Sequence, residues 1–562
     1  MTRILLIGLL MLLVFPLLAA AASPTLSCPK HALYLVHKGQ IDSALDLYQT
    51  HFKTCQTHDT EFLQQLGLSL LEQGAHSRDP ETQLMALFGA GLATNERVLP
   101  ILIRAINSPL PQLQLIALNL LAHCQHDDAN KAIFQGLRSN SLLVRLEALH
   151  QIALRKDCKA SNHIESLMGK VNPELLPLFP QLFALVDDNE SVKMLRKLLS
   201  HTQEAVRIET VISCARSGRD DLLPKIKVLA AHGSFAQKEA CALALGALRD
   251  DSSLPFLLKL SRTTTISTVK LAACKSLYIL GHLEALKTIQ TLAAQGDLFG
   301  IAMLGDLPEN KEILAKLLTS PDFSIRLNAS IALLNQQDVR CLTLLPEILV
   351  KDSRDLAFTK TLSQGKGLIC WKPVFSARQQ FVDSPTDLEL SLNFRESLLI
   401  AAADLPEEDF LFLIKLIFDK QQNDLVPTAI ALLESIETPK AIDLLRIYRQ
   451  RPGAPLIRNY CNLALYRLGD EGPYSESLSA WLEQQIAVGL IQLRPLVPWE
   501  LNDDQMAHQI TPHETSRLLV ETFEALTTKQ DKHGINCLLE AIKNGNSKNK
   551  YALAGLLIRA TL

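Results

Sequence analysis

Val144-Arg145-Leu146-Glu147-Ala148-Leu149 and, far downstream, Ile457-Arg458 with Ala464-Leu465-Tyr466-Arg467-Leu468-Gly469-Asp470 are copies of one pattern. Equivalent positions fall at Thr82, Leu113, Val144, Val206, Gln237, Val269, Ile325, Phe394, Val426 and Ile457. Thr82, Leu113 and Val144 are 31 residues apart, and Val144 to Val206 is twice that step. Steps of 31 or 32 recur after Val206 and after Phe394. A fixed period in this range marks an array of units that cannot bury their apolar faces alone and must stack.

Each unit has the same grammar. A turn rich in Ser, Asn and Pro comes first, as in Asn107-Ser108-Pro109, Ser139-Asn140-Ser141, Ser200-His201-Thr202 and Thr319-Ser320-Pro321. Such residues cap helix N-termini by accepting from free backbone N–H groups. An Ala/Leu-rich helix follows, then a turn such as Arg249-Asp250-Asp251-Ser252, then a second helix such as Leu254 to Leu260. Pro255 sits in the first turn of that helix, where a missing N–H costs least. The copy near Leu175 is broken by Pro177 and Pro180. Aromatic residues make up only 5% of the chain, and Leu and Ala dominate its apolar content, which favours helices over β-sandwiches. The expected fold is all-α, a right-handed α-α superhelix of stacked helical hairpins.

Gln237-Lys238-Glu239-Ala240-Cys241-Ala242-Leu243-Ala244-Leu245-Gly246 and Val269-Lys270-Leu271-Ala272-Ala273-Cys274 resemble short HEAT repeats of the kind shared with phycobilisome lyases. The resemblance implies a HEAT/ARM-like solenoid over residues 77–350 and 393–475. It implies little about activity, because the repeated residues serve packing. Lys38-Gly39-Gln40-Ile41-Asp42-Ser43-Ala44-Leu45-Asp46-Leu47-Tyr48 resembles the turn and second helix of a tetratricopeptide repeat, so residues 23–76 read as a helical N-terminal cap. Residues 351–392, with Gly365, Gly367, Trp371, Pro373 and Pro385, lose helical periodicity and read as an irregular insert. Residues 476–562 read as a helical C-terminal cap.

Arg3 followed by the apolar run Ile4 to Leu18 and by Ala19-Ala20-Ala21-Ala22 reads as a secretory signal cleaved after Ala22. An uncut anchor is one alternative. A lipoprotein is another, since Ser27-Cys28 stands in the order for lipid attachment, although Thr25 replaces the usual Leu. Export to a periplasm or to the extracellular space is expected, with a peripheral membrane tether as the variant reading.

The chain has 56 Lys+Arg against 59 Asp+Glu, and loss of Arg3 with the leader leaves it near neutral. A basic footprint for nucleic acid is absent. Of the 11 cysteines, Cys124, Cys214, Cys241, Cys274 and Cys461 lie inside helical patterns and read as small core residues. Cys28 and Cys55 bracket one helical hairpin, which would let its two ends meet in a disulfide.

Little in the sequence points to chemistry. His123-Cys124-Gln125-His126-Asp127-Asp128 is the densest ligand-like cluster but reads as an inter-repeat turn. His513-Glu514 follows Thr511 as a capping box would. Gln364-Gly365-Lys366-Gly367 lacks the spacing of a phosphate loop. Arg145, Arg207, Lys238, Lys270, Arg326, Arg395 and Arg458 recur at one repeat position. They would form a ladder, either as a basic stripe or by bonding to carbonyls and acidic groups of the neighbouring turn; the second reading is preferred. No catalytic residue, metal or cofactor is assigned. The expected function is that of an exported, non-catalytic scaffold for protein–protein interaction. The alternatives are an enzyme resembling the bilin lyases and a membrane-tethered assembly factor.

Overall fold

The computed structural model describes residues 28–157, 159–307, 309–350, 356–375, 385–486, 489–493 and 512–562. Residues 1–27, including the expected leader with Ala22 and the stretch from Thr25 to Ser27, lie outside the described residues, as do Thr511, part of the 351–392 insert and the side chain of Cys28.

The described chain divides into two compact units. One holds residues 137–470 and contains most of the repeats. Its first helices are Leu142–Leu154, Phe179–Val186, Glu204–Arg216, Phe235–Ala247, Ser267–Ile279, Leu298–Gly305, Phe323–Asn335, Pro385–Ala402, Val426–Ile436 and Pro455–Leu468. Each packs on the next, so they form one continuous row. The second helices, such as Leu223–His232 and Leu254–Thr263, pack mainly on the first helices. The repeat positions explain the row: Val144, Val206 and Val269 are fully buried, and Phe394 and Ile457 nearly so. Burying each such side chain is worth about 1.5–3 kcal/mol, and that gain exists only when a neighbouring repeat covers it. Across the row, the Ser276 hydroxyl donates to the Ala242 carbonyl at 2.7 Å. This is an α-solenoid of stacked hairpins.

The capping residues differ from those expected. Ser108, Ser139 and Ser320 accept from the N–H two residues on, closing short turns before the helices start. The caps themselves fall later. Asp322 accepts from Ser324 N at 2.7 Å, and Ser234 and Gln237 form a reciprocal capping box. The broken copy near Leu175 is a 3-10 helix, Pro173–Leu178, leading into Phe179–Val186.

The other unit joins the two ends of the chain: residues 28–136, 471–493 and 515–562. This corrects the expectation of two separate caps. The last helix, Asn549–Arg559, packs against Thr60–Ala75 and Pro80–Ala93. Gly89 and Gly555 face each other there, and a Cβ on Gly555 would strike the Gly89 carbonyl. Lys548 pairs with Asp79 at 2.8 Å and also with Glu81, while Gln49 donates to Glu540 at 2.8 Å. Near the start of the chain, Cys28–His37 and Ile41–Cys55 form a helical hairpin, with Gly39 at φ +74° in its turn and Ala44, Leu45 and Tyr48 buried.

A second correction concerns the insert. Within 351–392, the described part is an antiparallel β-hairpin, not irregular chain: β1 (Leu356–Leu362) pairs with β2 (Ile369–Phe375).

Candidate protein-binding face

The hairpin lies on the first-helix row and is held at three places. At its tip, Ser363 accepts from Leu368 N at 3.0 Å and donates to the buried Glu239 carboxylate. Lys366 pairs with Glu209 at 2.5 Å. Gly365 is needed here, because a Cβ would come within 2.7 Å of the Ala236 carbonyl. Glu209 and Glu239 belong to successive first helices, so the tip crosses two repeats.

At mid-strand, Asn328 binds the backbone of Trp371 on both sides. Its Nδ2 donates to Trp371 O at 2.7 Å, and its Oδ1 accepts from Trp371 N at 2.9 Å. The second Nδ2 proton goes to Ser324 O at 2.8 Å. Trp371 stands opposite Lys360 in the ladder. Asn328 therefore covers the outer edge of β2, which would otherwise be open to another strand. Pro373, two residues on, has no N–H to offer along that edge.

At the base, Phe394 packs against both strands. Its ring centroid is 4.1 Å from Trp371 and 4.7 Å from Phe358. Aromatic pairs at such spacing add about 0.5–1.5 kcal/mol beyond burial.

Beside β2 the same face opens into a pocket of about 250 Å³. Phe299, Met303, Ile331 and Trp371 give it apolar walls. Lys275 and Asp306, paired at 3.0 Å, lie on its rim. Ile369 remains 40% exposed next to it. The other unit carries a larger open groove of about 520 Å³, lined in part by His76, Gln83, Arg104 and Leu113. The smaller pocket is the more informative, because a segment of extended chain already lies against it.

The repeat-position basic residues divide by partner. Arg207 donates to the His201 and Thr202 carbonyls, the latter at 2.8 Å, and Arg326 to those of Ser320 and Pro321 at 2.7 and 3.0 Å. Arg395 is buried, bonds the Leu349 carbonyl and pairs with Asp424 at 2.5 Å. Lys238 lies 6.0 Å from the Phe235 ring centre. Arg145 and Lys270 are half-buried, and Arg458 is exposed.

Cys214, Cys241, Cys274 and Cys461 are buried, and Cys124 is half-buried. Burial pushes the Cys214 and Cys241 thiols up to about 12, so they are inert at neutral pH. Cys55 is exposed, with its Sγ 3.4 Å from Thr57 O, and the side chain of Cys28, its expected disulfide partner, lies outside the described residues. In the segment from His123 to Asp128, His126 Nδ1 accepts from Asp128 N at 3.1 Å, closing a turn before the Asp127–Gly136 helix. His513 and Glu514 lie in the first turn of Pro512–Thr528. Sequence reading passes over Asn328, Ser363 and Phe394 as a set, and also over a separate cluster, Glu483, His533 and Cys537.

No family model and no curated protein matches this chain. The similarity to HEAT repeats therefore rests on the repeat residues and the fold. Among solved structures, the chain is similar to Kap121p bound to Pho4p, at 13% identity over 88% of this chain and 74% of that one, with a TM-score of 0.29. It is similar to Kap121p bound to Ste12p at 12% identity over 93% and 77%, with a TM-score of 0.30. A structure concerning the phosphorylation switch between cadherin and β-catenin matches at 14% identity over 75% and 97%, with a TM-score of 0.22.

Proposed function

We propose that this chain is an exported, non-catalytic scaffold that binds protein through its first-helix face. The partner is an extended polypeptide segment laid beside the hairpin. The observation that carries the reading is the Asn328 amide gripping the Trp371 backbone. Such a grip recognises main chain and not side chain, so a helical face built this way suits extended polypeptide. The adjoining pocket supplies apolar walls for side chains, and its Lys275–Asp306 rim offers both signs of charge. The near-neutral composition fits a protein partner better than nucleic acid. Export rests on the leader sequence, residues 1–22.

The test is in-cell crosslinking of a C-terminally tagged protein, with capture from the envelope fraction and mass spectrometry. One dominant protein partner, lost in an Ile331→Glu variant that charges the pocket wall, supports the scaffold. Recovery of the protein alone, or a partner indifferent to Ile331→Glu, overturns this face as the binding site. N-terminal sequencing of the captured chain tests export: a start at Ser23 supports cleavage after Ala22, and an intact Met1 overturns it.

A further inference from the structure

His533 and Cys537 stand four apart on the Lys532–Asn544 helix and so share one face. Glu483 reaches them from the Tyr474–Gln485 helix. One ligand atom from each, an imidazole nitrogen, a thiol sulfur and a carboxylate oxygen, lies within 4.8 Å of the other two. His533 Nε2 and Glu483 Oε1 are 3.4 Å apart. Charge-assisted hydrogen bonds close to about 2.7–2.9 Å, so 3.4 Å is long for one. A tetrahedral ion with bonds of about 2.0–2.1 Å holds two N/O ligands about 3.4 Å apart, and a sulfur about 3.6 Å from either. His533 and Glu483 already stand at that separation, and Cys537, within 4.8 Å of both, needs a side-chain adjustment of no more than about an ångström.

We propose that Glu483, His533 and Cys537 bind a zinc-class divalent cation. The donor set argues for the class. A thiolate and an imidazole suit Zn²⁺, whereas Ca²⁺ and Mg²⁺ take oxygen ligands. One carboxylate and one thiolate neutralise the dication. Glu483 and His533 are exposed, which leaves a fourth position to water. Binding exchanges a proton for the metal: the thiol loses H⁺ to solvent as the S–metal bond forms.

Cys537 is buried, and the other carboxylates near it are otherwise engaged. Asp531 caps its helix by accepting from Gly534 N at 2.8 Å and also accepts from Ser475 at 2.7 Å. Glu540 accepts from Gln49 at 2.8 Å. Glu483, His533 and Cys537 remain as the ligand set.

Metal-free full-length chain titrated with Co²⁺ should take up one equivalent, with visible bands of a tetrahedral ion and a thiolate-to-cobalt charge-transfer band. Stoichiometric Zn²⁺ should bleach both, and excess Mg²⁺ should not. Cys537→Ser should abolish the charge-transfer band, and His533→Ala should weaken binding at least tenfold. Cys55→Ser should leave the spectrum unchanged. Glu483→Gln alters an exposed residue and should weaken binding in a chain whose circular dichroism matches the parent, which covers the case of a Cys537 variant that fails to fold. Absence of the charge-transfer band in the parent chain, its survival in Cys537→Ser, or unchanged affinity in Glu483→Gln overturns the site.

Discussion

Asn328→Ala should release the hairpin from the helical row while leaving the solenoid folded. Asn328 is 1% exposed and uses every polar group of its side chain. Alanine removes the two bonds to Trp371, at 2.7 and 2.9 Å, and leaves that N–H and C=O facing a helix surface. Each lost bond is worth about 0.5–1.5 kcal/mol net, and each stranded buried group costs about 1–3 kcal/mol. Trp371 is only half-buried, so water recovers part of this cost. A net loss of about 2–4 kcal/mol raises the detached population by about 30- to 700-fold, at tenfold per 1.4 kcal/mol. Hydrogen exchange read by mass spectrometry on peptides spanning 356–375 measures that change directly. Peptides from Pro455–Leu468 serve as the internal reference. Less than a threefold change in the hairpin, with the reference unmoved, would refute the reasoning and assign the hold to Phe394 and the tip contacts.

Other perturbations test other parts. Gly555→Val drives a side chain into the Gly89 backbone and should cost at least about 1–3 kcal/mol in chemical denaturation. Gly169→Ala, where the nearest atom is 3.7 Å from the new Cβ, should stay within about 0.5 kcal/mol. Lys548, and then Thr82, holds the Asp79 carboxyl down to about 2, below its ordinary 3.8. The contribution of a carboxyl lowered in this way is complete above pH 3.8 and fades as pH falls towards 2. Denaturation midpoints should therefore separate the parent from Lys548→Met above that range and converge below it; a constant difference across the series would refute the pairing. The proposed Cys28–Cys55 disulfide should yield a linked peptide in non-reducing mass spectrometry of exported protein, and free thiols at both sites would end it.

The repeat register is legible because each first helix repeats one physical demand. Val144, Val206, Val269 and Ile457 are read correctly from spacing since each must be buried by the next unit. The hairpin carries a local signal that helical periodicity masks. Phe358-Thr359-Lys360-Thr361 and Ile369-Cys370-Trp371 are strand-like runs, and Gly365 and Gly367 lie between them. Reading the stretch only for what it lacks, a helical period, makes it look irregular.

The remaining misses have a different cause. Gly89 meets Gly555, and Glu483 meets His533, across separations that leave no periodic trace. A glycine in a helix reads locally as a weak helix former, and only the backbone arriving from the far end of the chain gives it a purpose. Joining the ends in this way also changes what the terminal segments are for. A cap only shields the open face of one repeat, whereas a last helix packed into the first hairpins ties its own stability to theirs. Gly555→Val should therefore speed hydrogen exchange in Thr60–Ala75 as well as in Asn549–Arg559. If exchange rises in the last helix alone, the two ends touch without stabilising each other, and the C-terminal segment acts as a simple cap after all.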